Sequence, residues 1–165
     1  MAMKKNLSNK TSVSWTAQIV TLFPEMFPGA LAYSLSGKAL KKNLWSLDVV
    51  NLRDYSSDDR KTVDGPPAGG GAGLILRADI VDKAINDLKI KSNQHNNEWP
   101  IIALSPRGQV FNQKMALNFS KCKGITLICG RYEGFDERVL EFHSIPEVSI
   151  GDFIMSGGEI AAQVL

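Results

Sequence analysis

The strongest constraint on this chain is the spacing of its short apolar runs. Thr16–Leu22 (TAQIVTL), Leu44–Leu52 (LWSLDVVNL), Ile101–Leu104, Ile125–Cys129 and Val148–Ile150 have strand length and are rich in β-branched or aliphatic side chains. Stretches with helical periodicity separate them. Pro24 and Pro28 break the chain before a helix over Gly29–Lys42. Asp79 reads as the N-cap of a helix over Ile80–Lys91, with Ile80, Ala84, Ile85 and Leu88 on one face. Asn112–Asn118 is a short helix, and Ser105-Pro106 reads as the stop of the strand before it. Phe135–Phe142 is another, with Phe135, Val139 and Phe142 one turn apart. Gly157-Gly158 opens a last helix that is still running at Leu165. Such alternation predicts an α/β fold, a mostly parallel sheet with helices on both faces.

The length, 165 residues, suits one domain, expected over residues 16–165. Residues 1–15, rich in Lys, Ser and Asn and without an apolar segment of signal-peptide type, read as a flexible tail. No apolar run is long enough to span a membrane. The net charge of +2 conceals an asymmetry: +7 over residues 1–129 and −5 over residues 130–165. That excess is too mild to identify a nucleic-acid partner by itself. Cys122 and Cys129 do not form a C-x-x-C, and His95 and His143 are far from them, so no zinc pattern exists. Two isolated thiols fit a reducing, cytoplasmic compartment, and Cys129 reads as a core residue. The two histidines read as exposed or structural.

In an open parallel sheet, ligands bind outside the carboxyl ends of the strands. Three glycine-containing loops occupy such places: Ser105–Gly108, Gly130–Gly134, and Ser149–Asp152 running on to Gly157-Gly158. Glycine there permits positive φ and close backbone approach. A fourth segment, Asp64–Gly73, holds five glycines in ten residues. It is neither a Walker A loop nor a dinucleotide fingerprint. It suits either a solvated surface loop or a loop packed against backbone or a polar substrate. No Gly-x-Ser-x-Gly elbow, His-Glu-x-x-His or Ser/His/Asp set can be assembled.

Five segments occur in a telling order: LFPEMF (Leu22–Phe27), DRKTVDGPPAGGGAG (Asp59–Gly73), LSPRGQ (Leu104–Gln109), CGRYEGFDER (Cys129–Arg138) and SIGDFIMSGGE (Ser149–Glu159). Over Thr16 to Leu165 this resembles the bacterial tRNA (guanine-N1)-methyltransferases, the TrmD family. The resemblance implies a SPOUT-type domain with a C-terminal trefoil knot. It implies transfer of a methyl group from S-adenosylmethionine to N1 of the guanosine just 3′ of the anticodon in tRNA. It implies a homodimer with the active site at the subunit interface, and no membrane.

Carried onto this sequence, the family's cofactor loops match Leu104, Ser105 and Pro106; Gly130, Tyr132, Glu133 and Gly134; and Ser149, Ile150, Gly151, Asp152, Phe153, Ile154, Met155, Gly157 and Gly158. Leu104, Ile150 and Met155 are expected to wall the adenine. Arg60, Lys61 and Asp64 are expected on the tRNA side. Glu133 and Asp64 are the candidate catalytic residues, Glu133 lying near the reacting methyl. No metal is expected, because a sulfonium methyl is already electrophilic. Guanine N1 carries a proton, so the reaction needs a base, and a positive group to stabilise charge developing on O6. The family's Asp and Arg for these tasks fall beyond Leu165, as does its C-terminal tRNA-binding domain. The chain is therefore expected to bind cofactor yet methylate weakly or not at all.

Some positions depart from the family pattern. The family commonly has Asp for Gly65, Tyr for Ala68, Gln for Arg107, Tyr for Phe153, and Leu-Pro-Ala for Ile160-Ala161-Ala162. Without the resemblance, the glycine loops also suit a nucleotide-dependent α/β enzyme or a non-catalytic RNA-binding module.

Overall fold

Residues 15–92 and 98–165 are described by a computed structural model. Five strands form one sheet: β1 (Thr16–Thr21), β2 (Ser46–Asn51), β5 (Ile101–Val110), β6 (Gly124–Cys129) and β7 (Glu147–Ser149). Their order is β2-β1-β6-β5-β7, and every neighbouring pair is parallel. Two further short strands, β3 (Asp64–Gly65) and β4 (Ile75–Leu76), pair antiparallel with each other. The helices are α1 (Ser34–Lys41), α2 (Ala78–Ser92), α3 (Gln113–Phe119), α4 (Glu137–His143) and α5 (Glu159–Val164).

The period-2 alternation of the strands builds a core on each face. Val20, Ala103 and Ile128 point to one side, where Ile80, Ala84, Ile85 and Leu88 of α2 and Val139 and Leu140 of α4 cover them. Ala17, Ile19, Ile102, Leu104, Ile125, Leu127 and Cys129 point to the other, beneath Met115 and Phe119 of α3 and Ala161 and Ala162 of α5. The expected double-sided parallel sheet is thus present. Polar side chains span three strands on the first face. Trp99 Nε1 donates to Thr126 Oγ1, whose hydroxyl donates to Gln18 Oε1, and Gln18 Nε2 donates to Asp48 Oδ2. Thr126, Gln18 and Asp48 stand side by side in the β6, β1 and β2 register.

Several local expectations are corrected. Ser105-Pro106 does not end its strand: β5 runs to Val110, with a register shift between Leu104 and Gln109. Pairing with β6 ends at Leu104–Cys129, so beyond it β5 has a neighbour on one side only. A proline without an N–H is tolerated at such an edge. The helix expected over Gly29–Lys42 is split. A 3-10 turn over Gly29–Ala32 ends at extended Tyr33, and α1 follows. Asp79 lies inside the first turn of α2, where its carboxylate takes Arg77 Nε and Nη2 at 3.0 and 2.8 Å. The helix expected over Phe135–Phe142 starts only at Glu137, and of the three side chains one turn apart Phe135 and Val139 are buried while Phe142 is exposed.

Of the expected tail, residues 1–14 lie outside the described residues, as does His95. Trp15, placed at the end of that tail, packs on the second core and donates its indole N–H to Phe119 O at 3.1 Å. His143 is structural: Nε2 lies 2.7 Å from Asp82 Oδ1 and Nδ1 lies 3.1 Å from Lys89 Nζ, which joins α4 to α2. No helix among the described residues is long and apolar enough to cross a membrane.

Candidate functional site

Strands β5, β6 and β7 are adjacent in the sheet, so their carboxyl ends bring three chain segments to one place. The first is the excursion Ser105–Gly108. The second follows β6, where Tyr132 takes a left-handed conformation (φ 58°) and Gly134 has φ 110°. The third follows β7. There the Ser149 hydroxyl donates to Gly151 O and accepts from Gly151 N, which folds the chain sharply back.

Together they enclose a cleft of about 340 Å³, within the range of small-molecule sites. It is lined by Leu104, Ser105, Pro106, Gly130, Tyr132, Glu133, Gly134, Ser149, Ile150, Phe153, Ile154, Met155, Gly157 and Gly158. Of the expected cofactor residues, Gly151 and Asp152 do not reach it. Arg107, Arg131, Phe135, Ser156 and Ala161 line it as well, although none of them was expected to bind cofactor.

The glycines are needed for contact distance. A Cβ on Gly130 would stand 3.1 Å from Leu104 O and 3.2 Å from Phe135 Cε2. One on Gly158 would stand 2.8 Å from Cys129 Cα. Gly158 N–H donates to Gly130 O at 2.9 Å and ties the second loop to the third.

A buried ion pair lies beneath these loops. Glu159, 1% exposed, opens α5. Its Oε1 accepts from Thr21 Oγ1 at 2.7 Å and from Arg131 Nε at 3.2 Å, and Oε2 is 2.8 Å from Arg131 Nη2. Burial, reinforced by the Glu159 carboxylate, pushes the neighbouring Cys129 thiol well up, so Cys129 is an inert core thiol.

Glu133 is exposed at the rim, beside Gly73, where a Cβ would come within 3.1 Å of Glu133 Oε1. The glycine-rich segment is thereby joined to the second loop. Glu133 N–H donates to Leu74 O, Leu76 N–H to Gly134 O, and Asp136 N–H to Leu76 O. Within the segment itself, Ala68–Gly73 is exposed, as a surface loop is, and the backbone pairing begins just after it, at Leu74 and Leu76. Asp64, the other candidate catalytic residue, pairs with Leu76 and does not line the cleft. Arg60 and Lys61 are exposed in the turn before it. Asp58 holds that turn by accepting from Thr62 N at 2.8 Å and from Ser56 Oγ at 3.0 Å. Those contacts, led by the Thr62 backbone N–H, lower the Asp58 carboxyl.

A larger cleft of about 760 Å³ opens beside β1 and β2 and is lined by Asp48, Asp54 and Asp87. It contains none of the glycine turns, and its carboxylates would repel an anionic ligand.

Residues 16–165 match the family described as tRNA (Guanine-1)-methyltransferase TrmD. Proteins named tRNA (guanine-N(1)-)-methyltransferase are similar throughout that region. One from Cereibacter sphaeroides is 51% identical over 152 residues, covering 92% of this chain and 61% of its own length. One from Ruegeria sp. is 54% identical over 151 residues, covering 92% and 61%. One from Bartonella henselae is 47% identical over 153 residues, covering 93% and 63%. The chain thus spans a little over three-fifths of the length of these relatives.

Proposed function

Because the chain belongs to the TrmD family of tRNA (guanine-1)-methyltransferases, we propose that its cleft holds S-adenosylmethionine for methylation of tRNA. The acceptor is N1 of the guanosine just 3′ of the anticodon. The observation that carries this reading is the convergence of three glycine turns, at the carboxyl ends of adjacent strands, on one cleft.

The residues present fit the cofactor. Glycine at 130 and 158 leaves a cradle that a Cβ would fill. Leu104, Ile150 and Met155 offer apolar walls for a flat base. When bound, the cofactor supplies an electrophilic methyl: the N1 lone pair forms the new C–N bond as the C–S bond breaks toward sulfur, and the N1 proton passes to a base. The chain's own part is to orient and enclose. Backbone groups of the Gly130–Gly134 turn and of Ser149–Ile150 would meet the adenine and ribose edges. Glu133 stands at the rim where the methyl would emerge, and Asp64, Arg60 and Lys61 face the tRNA side. The arginine and lysine would meet phosphate there.

The family's trefoil knot is part of the same proposal. It is supported by the path after β7, which returns to the β6 turn through Gly158 and Gly130 before α5 packs near Met26 and Ala30. A homodimer is supported by apolar side chains exposed nearby: Leu35, Ile160 and Val164. A cytoplasmic location follows from a tRNA substrate.

The test is calorimetric titration of the chain with S-adenosylhomocysteine and, separately, with ATP. A single saturable event with the homocysteine compound alone, lost in Gly130→Val, supports the proposal. No binding by a folded chain, or preference for ATP, overturns it.

A further inference from the structure

Arg131 is the side chain on which the cleft's separate segments meet. It leaves the β6 turn inward rather than toward solvent and is 18% exposed. Its Nη1 donates to Ser156 O at 3.1 Å, in the loop after β7. Its Nε and Nη2 engage Glu159 at the start of α5. Its Cζ lies 4.3 Å from the centroid of the Phe23 ring, and Nη2 is 3.7 Å from Met26 Sδ, both in the segment after β1. Glu159 binds the same segment through Thr21, whose hydroxyl also accepts from Phe23 N.

Among the described residues, Arg131 is the cation paired with Glu159. Glu159 Oε2 is buried, and its close partner is the Arg131 guanidinium. Gly157 lies directly against the pair: a Cβ there would stand 2.5 Å from Arg131 Cζ and 2.6 Å from Glu159 Oε2. A buried carboxylate without its cation is strongly disfavoured, so each partner fixes where the other can be. The planar guanidinium makes several directed contacts at once, which an ammonium cannot reproduce.

We propose that Arg131 and Glu159 are positioning residues. Their buried ion pair locks the turn after β6, the loop before α5 and the segment after β1 into the geometry that binds the cofactor. The inference rests on the cofactor reading above. Gly157, which lines the cleft, is packed directly on the pair, whereas the core under α2 and α4 is met at its margin, through the Phe23 ring.

The experiment is calorimetric titration of the 165-residue chain and its variants with S-adenosylhomocysteine, with thermal unfolding of each. Arg131→Lys keeps the charge and loses the fork, and Glu159→Gln keeps the shape and loses the charge. Each is expected to weaken binding at least about tenfold, with the double variant no worse than the poorer single one. Leu88→Val, a core change under α2, is expected to lower the melting temperature to a similar degree while binding as the parent does. A parent chain that fails to bind overturns the cofactor reading and this inference with it. A parent that binds, with both pair variants within about twofold of it, overturns the inference alone. So does a Leu88→Val chain that loses affinity in step with its stability. Pair variants that are unfolded at 25 °C likewise overturn it, because the pair is then a general stability element.

Discussion

Gly158 donates its backbone N–H to the carbonyl of Gly130 at 2.9 Å, and that bond joins the loop after β7 to the turn after β6. There is no room for a side chain at the junction. A Cβ on Gly158 would meet Cys129 Cα at 2.8 Å and Gly130 N at 3.0 Å, both backbone atoms that cannot rotate away. Gly158→Ala is expected to cost about 1–3 kcal/mol of stability, as overpacking does. Its affinity for S-adenosylhomocysteine should fall more than tenfold. Urea unfolding and calorimetry of the same preparation check both.

The glycine-rich loop offers a paired test. Gly70 (φ 78°) and Gly73 (φ 81°) both have positive φ, so alanine at either costs about 1–2 kcal/mol. Only at Gly73 would the new carbon meet Glu133, with Cδ at 3.2 Å, and nothing lies within 4 Å of the Cβ position of Gly70. The two variants should therefore lose similar stability. Gly73→Ala alone should also alter S-adenosylhomocysteine binding, through displacement of Glu133.

His143 should matter for folding and not for the cleft. An ammonium has no acceptor, so Lys89 donates to Nδ1, and Nε2 carries the hydrogen given to Asp82. His143→Leu removes both bonds and is expected to destabilise by about 1–3 kcal/mol. Cofactor affinity at saturating fold should stay at the parent value, measured by calorimetry below the unfolding transition.

Acid should weaken the start of α4. Asp136 caps that helix through Arg138 N at 3.1 Å and holds Arg138 Nη2 at 2.6 Å. Hydrogen bonding from Arg138 lowers its carboxyl below the ordinary 3.8. The unfolded chain then takes up the proton more readily than the folded one. The stabilisation is complete above that value and fades as pH falls through the lower folded one. Asp136→Asn should cost about 1 kcal/mol at pH 6, where Arg138 is largely solvent-screened. The gap between variant and parent should narrow below about pH 4, as read from urea midpoints.

The parallel sheet was legible because Ile102, Ile125, Leu127 and Val148 carry strand-length apolar runs whatever their neighbours are. The cleft was legible for the same reason: glycine turns immediately after such runs fall at the carboxyl edge. Pro106 misled because its tolerance depends on β5 losing β6 as a partner beyond Leu104, a tertiary fact. Asp79 misled because Arg77 two residues earlier captured a carboxylate that otherwise suits a cap. Arg131 and Glu159 were missed as partners because a pair 28 positions apart leaves no periodic trace. Gly151 and Asp152 share a motif with lining residues but do not themselves line the cleft.

Val148 stands opposite both Leu104 and Gln109 in the β5–β7 register. The residues between those two are therefore a detour that leaves the edge of the sheet and rejoins it at the same rung. Both of its ends are held at the sheet, Leu104 and Gln109 opposite Val148 and Val110 opposite Ser149. The detour cannot swing open as a lid without unzipping β7. Amide hydrogen exchange in 105–108 should accordingly follow that of Val148 and Ser149, as one cooperative opening. Entry to this cleft is then governed by the other two loops.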